Sequence, residues 1–144
     1  MTRVRPVFKC HGGKFYLAEW IISHFPENFE NMTYVEPYCG GANVIFNKPK
    51  SKIEVINDID LTLINIYRAL RDEPKDFIRR LNSCKYSEET FNKALNSIVQ
   101  NDYMDLAINE FILRRMSRGG LKKAFACSDR LRGGQPGDVN AWET

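Results

Sequence analysis

Apolar residues at Leu17, Ala18, Ile21, Ile22 and Phe25 recur at helical spacing and stop at Pro26, so the chain's first predicted element is an amphipathic helix. Then the period changes. Short β-prone runs at about 32–36 and 53–57 read as strands on either side of a short helix beginning near Gly41. Leu63, Ile66, Tyr67 and Leu70 restore helical spacing after an acidic turn. This β-α-β-α order calls for parallel strands with helices packed on their faces. From Pro74 the strand signals disappear. Phe77, Ile78 and Leu81 mark a helix opened by Pro74. Phe91, Ala94, Leu95, Ile98 and Val99 mark a second, with Ser87 as its N-cap and Glu88 and Glu89 in its first turn. Met104, Ala107, Ile108, Phe111 and Ile112 mark a third. Successive helices with no strand between them do not extend a doubly wound sheet, so this region reads as a helical insertion in an α/β protein.

The turns of the first half carry the candidate chemistry. The run Thr33-Tyr34-Val35-Glu36 leads into Pro37-Tyr38-Cys39-Gly40-Gly41-Ala42, and the second run ends in Asn57-Asp58-Ile59-Asp60. Glycines after a strand allow a sharp turn and close backbone approach to a ligand, while a carboxylate after the next strand can accept hydrogen bonds from ribose hydroxyls. That is the layout of a nucleoside cofactor site. The glycines are adjacent rather than spaced as G-x-G-x-x-G, which disfavours a pyrophosphate ligand. A nucleoside carrying an amino acid, of which S-adenosylmethionine is the obvious member, suits the shorter turn. The same strand and Gly-Gly turn also occur in proteins that bind nothing there, and the pattern alone leaves that alternative open.

Composition adds limits. With 144 residues, 43% of them hydrophobic and 27% charged, the chain can bury a core and is neither disordered nor membrane-like. No apolar run reaches membrane-spanning length, and no signal-peptide core follows Met1-Thr2-Arg3-Val4-Arg5-Pro6, so a cytoplasmic location is expected. Cys10, Cys39, Cys84 and Cys127 are scattered and only His11 and His24 accompany them. Reduced thiols and no bound metal are the expectation. His11, beside two glycines, reads as polar surface or as a ligand contact.

Charge is unevenly distributed. The whole chain carries a net charge of +3, yet residues 114–132 hold seven basic side chains, Arg114, Arg115, Arg118, Lys122, Lys123, Arg130 and Arg132, against the single acid Asp129. Gly119, Gly120, Gly133 and Gly134 would let this segment follow a groove, and Phe125 places an aromatic among the charges. Such concentration is the electrostatic footprint of a nucleic-acid backbone contact, with a solvated basic loop as the plain alternative.

Three blocks in the first half, Phe8-Lys9-Cys10-His11-Gly12-Gly13-Lys14, Tyr34-Val35-Glu36-Pro37-Tyr38-Cys39-Gly40-Gly41 and Val55-Ile56-Asn57-Asp58-Ile59-Asp60, resemble the N-terminal half of Dam-type (class D12) adenine-specific DNA methyltransferases. Arg114-Arg115-Met116-Ser117-Arg118-Gly119-Gly120 and the segment Ser128 to Trp142 agree, in the same order. The resemblance implies a Rossmann-like methyltransferase core, present as a partial parallel sheet, with a helical target-recognition insertion. Residues 1–72 would be the S-adenosylmethionine-binding half and 73–144 the insertion with its DNA-contacting basic loop.

The resemblance also implies roles. Cys10, Lys14, Glu36, Pro37, Tyr38, Gly40, Gly41, Asp58 and Ile59 would contact the cofactor, with Asp58 on the ribose. The seven basic residues would contact double-stranded DNA. Cys10 replaces a common aromatic, and Ala42 stands where many relatives have glycine. The family's Asp-Pro-Pro-Tyr motif is missing, because no two prolines are adjacent in these 144 residues. The expectation is an N-terminal fragment of a site-specific adenine-N6 methyltransferase, of the restriction-modification kind among others. It would hold no catalytic residue of its own and would depend on a C-terminal catalytic half supplied separately. The rival expectation is a non-catalytic DNA-binding or regulatory module on the same scaffold, and an RNA-directed methyltransferase is a third.

Overall fold

The structure, a computed structural model, describes residues 3–97, 102–128 and 130–143. Two compact units divide the chain, one ending at Leu61 and the other beginning at Thr62.

In the first unit a 3-10 turn, Phe15–Leu17, runs into helix α1, Ala18–Ser23. This is the helix predicted before Pro26. A further 3-10 turn at Phe29–Asn31 precedes strand β1, Thr33–Glu36, which pairs in parallel with β2, Ile53–Ile56. The register places Val35 beside Val55 and Glu36 beside Ile56. Side chains alternate along strands, so Tyr34, Glu36, Glu54 and Ile56 share one face and Thr33, Val35, Ile53 and Val55 the other. Pairing continues past the strands, with Asn57 N donating to the Glu36 carbonyl at 2.8 Å and Cys39 N to the Asn57 carbonyl at 2.9 Å. Both loops after the strands are thereby pinned together.

The helix expected near Gly41 is instead a succession of turns. Phe46 N and Lys48 N donate to the carbonyls of Ala42 and Val44, but the Ile45 N–H is drawn to the Glu36 carboxylate at 2.9 Å. An acceptor on the preceding strand takes a bond that a helix would use, and Ala42 holds a positive φ of 49°. Both effects break the regular ladder. Asn47 Nδ2 closes the segment by donating to the Asn43 carbonyl at 2.8 Å.

The second unit is mostly helical. Helix α2 spans Leu61–Asp72, α3 Pro74–Asn82, α4 Glu88–Asn96 and α5 Tyr103–Arg115. Pro74 stands at the opening of α3, where its missing N–H costs nothing. Ser87 caps α4 by accepting from Thr90 N at 3.1 Å, and Asp102 caps α5 by accepting from Met104 N at 3.0 Å. Ile98 and Val99, predicted to continue the second helix, lie outside the described residues. Phe77, Phe91, Ala107 and Ile112 are buried where α5 packs against α3 and α4.

The basic segment is more ordered than a loop. A 3-10 turn at Arg118–Gly120 follows α5, Ser117 bridges to Phe125, and β3, Leu131–Arg132, pairs antiparallel with β4, Gln135–Pro136. Gly133 and Gly134 make the tight connection with φ of 62° and 84°, a backbone that side chains disfavour. Helix α6, Gly137–Glu143, packs back on this hairpin. Trp142 joins α6 to the helices: its Nε1 donates to the Cys84 carbonyl at 3.2 Å, and its ring lies edge-on to Phe111 and Tyr86.

Candidate functional site

A cavity of about 450 Å³ opens in the first unit where the Gly12-Gly13 turn meets the loop after β1. Its lining contains Cys10, Lys14, Glu36, Pro37, Tyr38, Gly40, Gly41 and Asp58 together. Ile59 is not part of the wall and is almost fully exposed. His11, Tyr34, Cys39 and Asn43 also face the cavity.

Two backbone events shape it. Gly40 has a φ of 46° and donates its N–H to Asp58 Oδ2 at 2.8 Å, tying the glycine turn to the carboxylate after β2. Asp58 Oδ1 accepts from Asp60 N at 3.0 Å, so the carboxylate is oriented from both sides. Gly41 is needed for space: a Cβ there would stand 3.0 Å from Asn43 Nδ2 and 3.3 Å from Cys10 Cβ. Lys14 folds its ammonium back onto the Gly12 carbonyl at 2.8 Å, an exposed contact that an anionic ligand group can replace.

Beneath the cavity lies a charged network absent from the sequence reading. The Lys48 side chain is fully buried; its Nζ donates to Glu54 Oε1 at 2.5 Å and to Ser51 Oγ at 2.9 Å, and lies 4.5 Å from the Tyr34 ring centroid. Glu54 also accepts from Ser51 N at 3.0 Å. The lysine hydrogen bond is the main reason that the Glu54 carboxyl is held below its ordinary value. Tyr34 donates its hydroxyl to Glu36 Oε1 at 2.6 Å, the oxygen that also takes Ile45 N. Burial raises the Glu36 carboxyl, opposed by those two bonds and by Lys48. Burial also pushes the Cys39 thiol up to about 12, with Asp58 and Glu36 adding to the effect. Lys48 and Glu54 give no sequence signal. Their partnership exists only because strand register and the turn at 48–51 bring them together.

The seven basic residues are not one solvent-facing patch. Arg114 is buried and donates to Glu110 Oε1 at 2.6 Å, and Lys122 reaches the same carboxylate at 2.9 Å. Arg115 donates to the Ala141 carbonyl, and burial lowers its guanidinium from its ordinary value. Arg118, Lys123, Arg130 and Arg132 are exposed. Four of the seven therefore face solvent, while three are drawn into the unit. Sequence reading missed Glu110. Its signal was available as an acid four residues before Arg114 on a helix.

Among the described residues no three His, Cys, Asp or Glu side chains gather in a metal-binding group. No helix is long and apolar enough to cross a membrane.

Comparison with known proteins agrees with the motif reading. A type II methyltransferase of Lactococcus lactis subsp. cremoris is 37% identical over 78 residues, 54% of this chain and 26% of that protein. The DNA adenine methylase of Vibrio cholerae is likewise 37% identical over 78 residues, covering 54% of this chain and 27% of its own length. A DNA N-6-adenine-methyltransferase of Escherichia phage P1 is 35% identical over 74 residues, 51% of this chain and 9% of the phage protein. The aligned part thus spans about a quarter or less of these relatives. The family model of the D12 class N6 adenine-specific DNA methyltransferases matches residues 11–116, from the Gly-Gly-Lys turn to the end of α5. The chain belongs to that family.

Proposed function

We propose that this chain supplies the S-adenosylmethionine-binding surface and part of the DNA grip of an adenine-N6 DNA methyltransferase. The parallel β1–β2 pair is then the part of a Rossmann-like core that carries the cofactor loops. The observation that carries the reading is the Gly40 N–H held at 2.8 Å by Asp58 at the wall of the cavity. A carboxylate so fixed retains acceptor capacity for ribose hydroxyls.

The site's own features suit that cofactor. The cavity volume matches a small-molecule site, the glycine turns allow close approach without phosphate spacing, and the buried Asn43 Oδ1 has no protein partner. Lys14 would meet the cofactor's carboxylate, Asp58 its ribose, and Tyr38, largely exposed beside the cavity, an aromatic face. When bound, S-adenosylmethionine offers an already activated methyl group, so the protein's task is alignment and exclusion of water. The target adenine must leave the duplex stack to be reached, which asks for a firm hold on the flanking backbone. Arg118, Lys123, Arg130 and Arg132 would give that hold. DNA as substrate also agrees with a cytoplasmic protein.

The test is tritiated methyl transfer from S-adenosylmethionine to adenine-containing duplex DNA. The chain alone carries no Asp-Pro-Pro-Tyr segment and should give no incorporation. A mixture with a separately produced C-terminal half bearing that motif should give incorporation. Transfer by the chain alone would overturn the division of labour.

A further inference from the structure

Asn43 is a polar side chain with an unmet need. Only 5% of the residue is exposed, and its Oδ1 is fully buried with no hydrogen-bond partner. Buried side-chain acceptors are nearly always satisfied, because leaving one bare forfeits its solvation. The residue lines the cofactor cavity. Its amide occupies the gap between the two glycine turns: Nδ2 lies 3.1 Å from where a Gly13 Cβ would stand and 3.0 Å from a Gly41 Cβ.

A bare acceptor in that position calls for a donor on the ligand. Three donor groups exist on a nucleoside that carries an amino acid: the base amine, the ribose hydroxyls and the α-ammonium. Asp58, bound to Gly40 N, marks the ribose end. Lys14 belongs to the other turn, where its ammonium bonds the Gly12 carbonyl, and the next residue in that turn, Gly13, abuts the Asn43 amide. The Asn43 amide therefore lies between the turn that carries Lys14 and the turn that Asp58 holds. On a cofactor with its ribose at Asp58 and its carboxylate at Lys14, the donor between those two groups is the α-ammonium. Glu36, the other nearby acceptor, already commits Oε1 to Tyr34 and Ile45.

We propose that Asn43 accepts a hydrogen bond from the α-ammonium of the cofactor's amino acid and so selects amino-acid-bearing nucleosides over plain ones. The inference rests on the cofactor reading above and adds a residue and a specificity to it. A hydrogen bond to a charged donor is stronger than a neutral one, so its loss is measurable as affinity.

The experiment is calorimetric titration of the full chain with S-adenosylhomocysteine and with 5′-methylthioadenosine, which lacks the amino-acid end. Asn43→Ala should weaken S-adenosylhomocysteine about tenfold or more and leave 5′-methylthioadenosine unchanged. Its melting temperature should not fall, since no protein partner is lost. Asn43→Asp, which keeps the shape and adds charge, should hold or raise S-adenosylhomocysteine affinity, and it serves as the measurement if the alanine variant fails to fold. Equal loss of both ligands would make Asn43 a spacer between the turns and overturn the proposal. Unchanged S-adenosylhomocysteine affinity in Asn43→Ala, with 5′-methylthioadenosine still bound, would overturn it too, and if the alanine variant fails to fold, an Asn43→Asp that weakens S-adenosylhomocysteine does so instead. If the unaltered chain binds neither ligand, the cofactor reading itself fails.

Discussion

Glu36 joins strand β1 to the loop that walls the cavity in one side chain. Its Oε1 accepts from Tyr34 and from Ile45 N, so it fixes the loop whose glycines wall the cavity. Burial outweighs those bonds and raises its carboxyl above the ordinary value. A carboxyl raised in the folded state favours folding below the ordinary glutamate range, and that contribution is lost as pH rises through the raised value. A glutamine at this position can still accept both bonds through its carbonyl oxygen. Glu36→Gln should therefore gain stability relative to the parent as pH rises from the ordinary glutamate value toward neutrality, in denaturant titrations at a series of pH values. A gap that stays flat with pH would contradict this account of Glu36. Glu54 has the opposite sign: its carboxyl is lowered mainly by the Lys48 hydrogen bond, so its contribution is present at neutral pH and lost on acidification.

At the scale of elements, α5 does more than pack. Its apolar positions face α3 and α4, while Glu110 on the same helix gathers Arg114 and Lys122 and so fixes the turn that follows. Ser117, fully buried, accepts from Lys122 N at 2.9 Å, which holds Lys122 at its positive φ of 61°. Glu110→Ala takes the carboxylate from a buried guanidinium and should cost about 3–5 kcal/mol of unfolding free energy. Trp142 fluorescence during denaturation would read it; a loss below about 1 kcal/mol would mean that Glu110 does not brace this segment.

The exposed cations have a separate signature. Neutralising Arg118, Lys123, Arg130 and Arg132 together should reduce the slope of log DNA affinity against log salt by roughly 3–4, at about 0.9 per phosphate contact. Neutralising Lys122 alone should leave the slope nearly unchanged, because that charge is spent on Glu110. An unaltered slope in the fourfold variant would remove this surface from the DNA interface.

For the whole molecule, the sequence was most readable where one local rule decides the outcome. Pro74, Ser87 and the heptad-like apolar spacing of α5 fix helices through caps and periodicity alone. The meeting of the glycine turn with the acid after the second strand was readable because both follow strands that pair side by side. Two features were hidden because long-range contacts create them. A short helix is expected from near Gly41, yet Glu36 diverts the Ile45 N–H and the segment becomes turns. The run from Arg114 to Arg132 is strongly basic in sequence, yet one buried acid and one carbonyl of α6 claim three of its cations. Local charge counts cannot separate cations that brace a fold from cations that face solvent.

The central claim is that the cavity of the first unit holds the cofactor by its ribose at Asp58 and by its amino acid at Lys14. Calorimetric titration of S-adenosylhomocysteine into the chain and into Asp58→Ala tests it most directly. The account predicts saturable binding at one site per chain, weakened about tenfold or more in the variant through loss of charged hydrogen bonds. Binding of equal strength in the two proteins, or no binding to the unaltered chain, would contradict it.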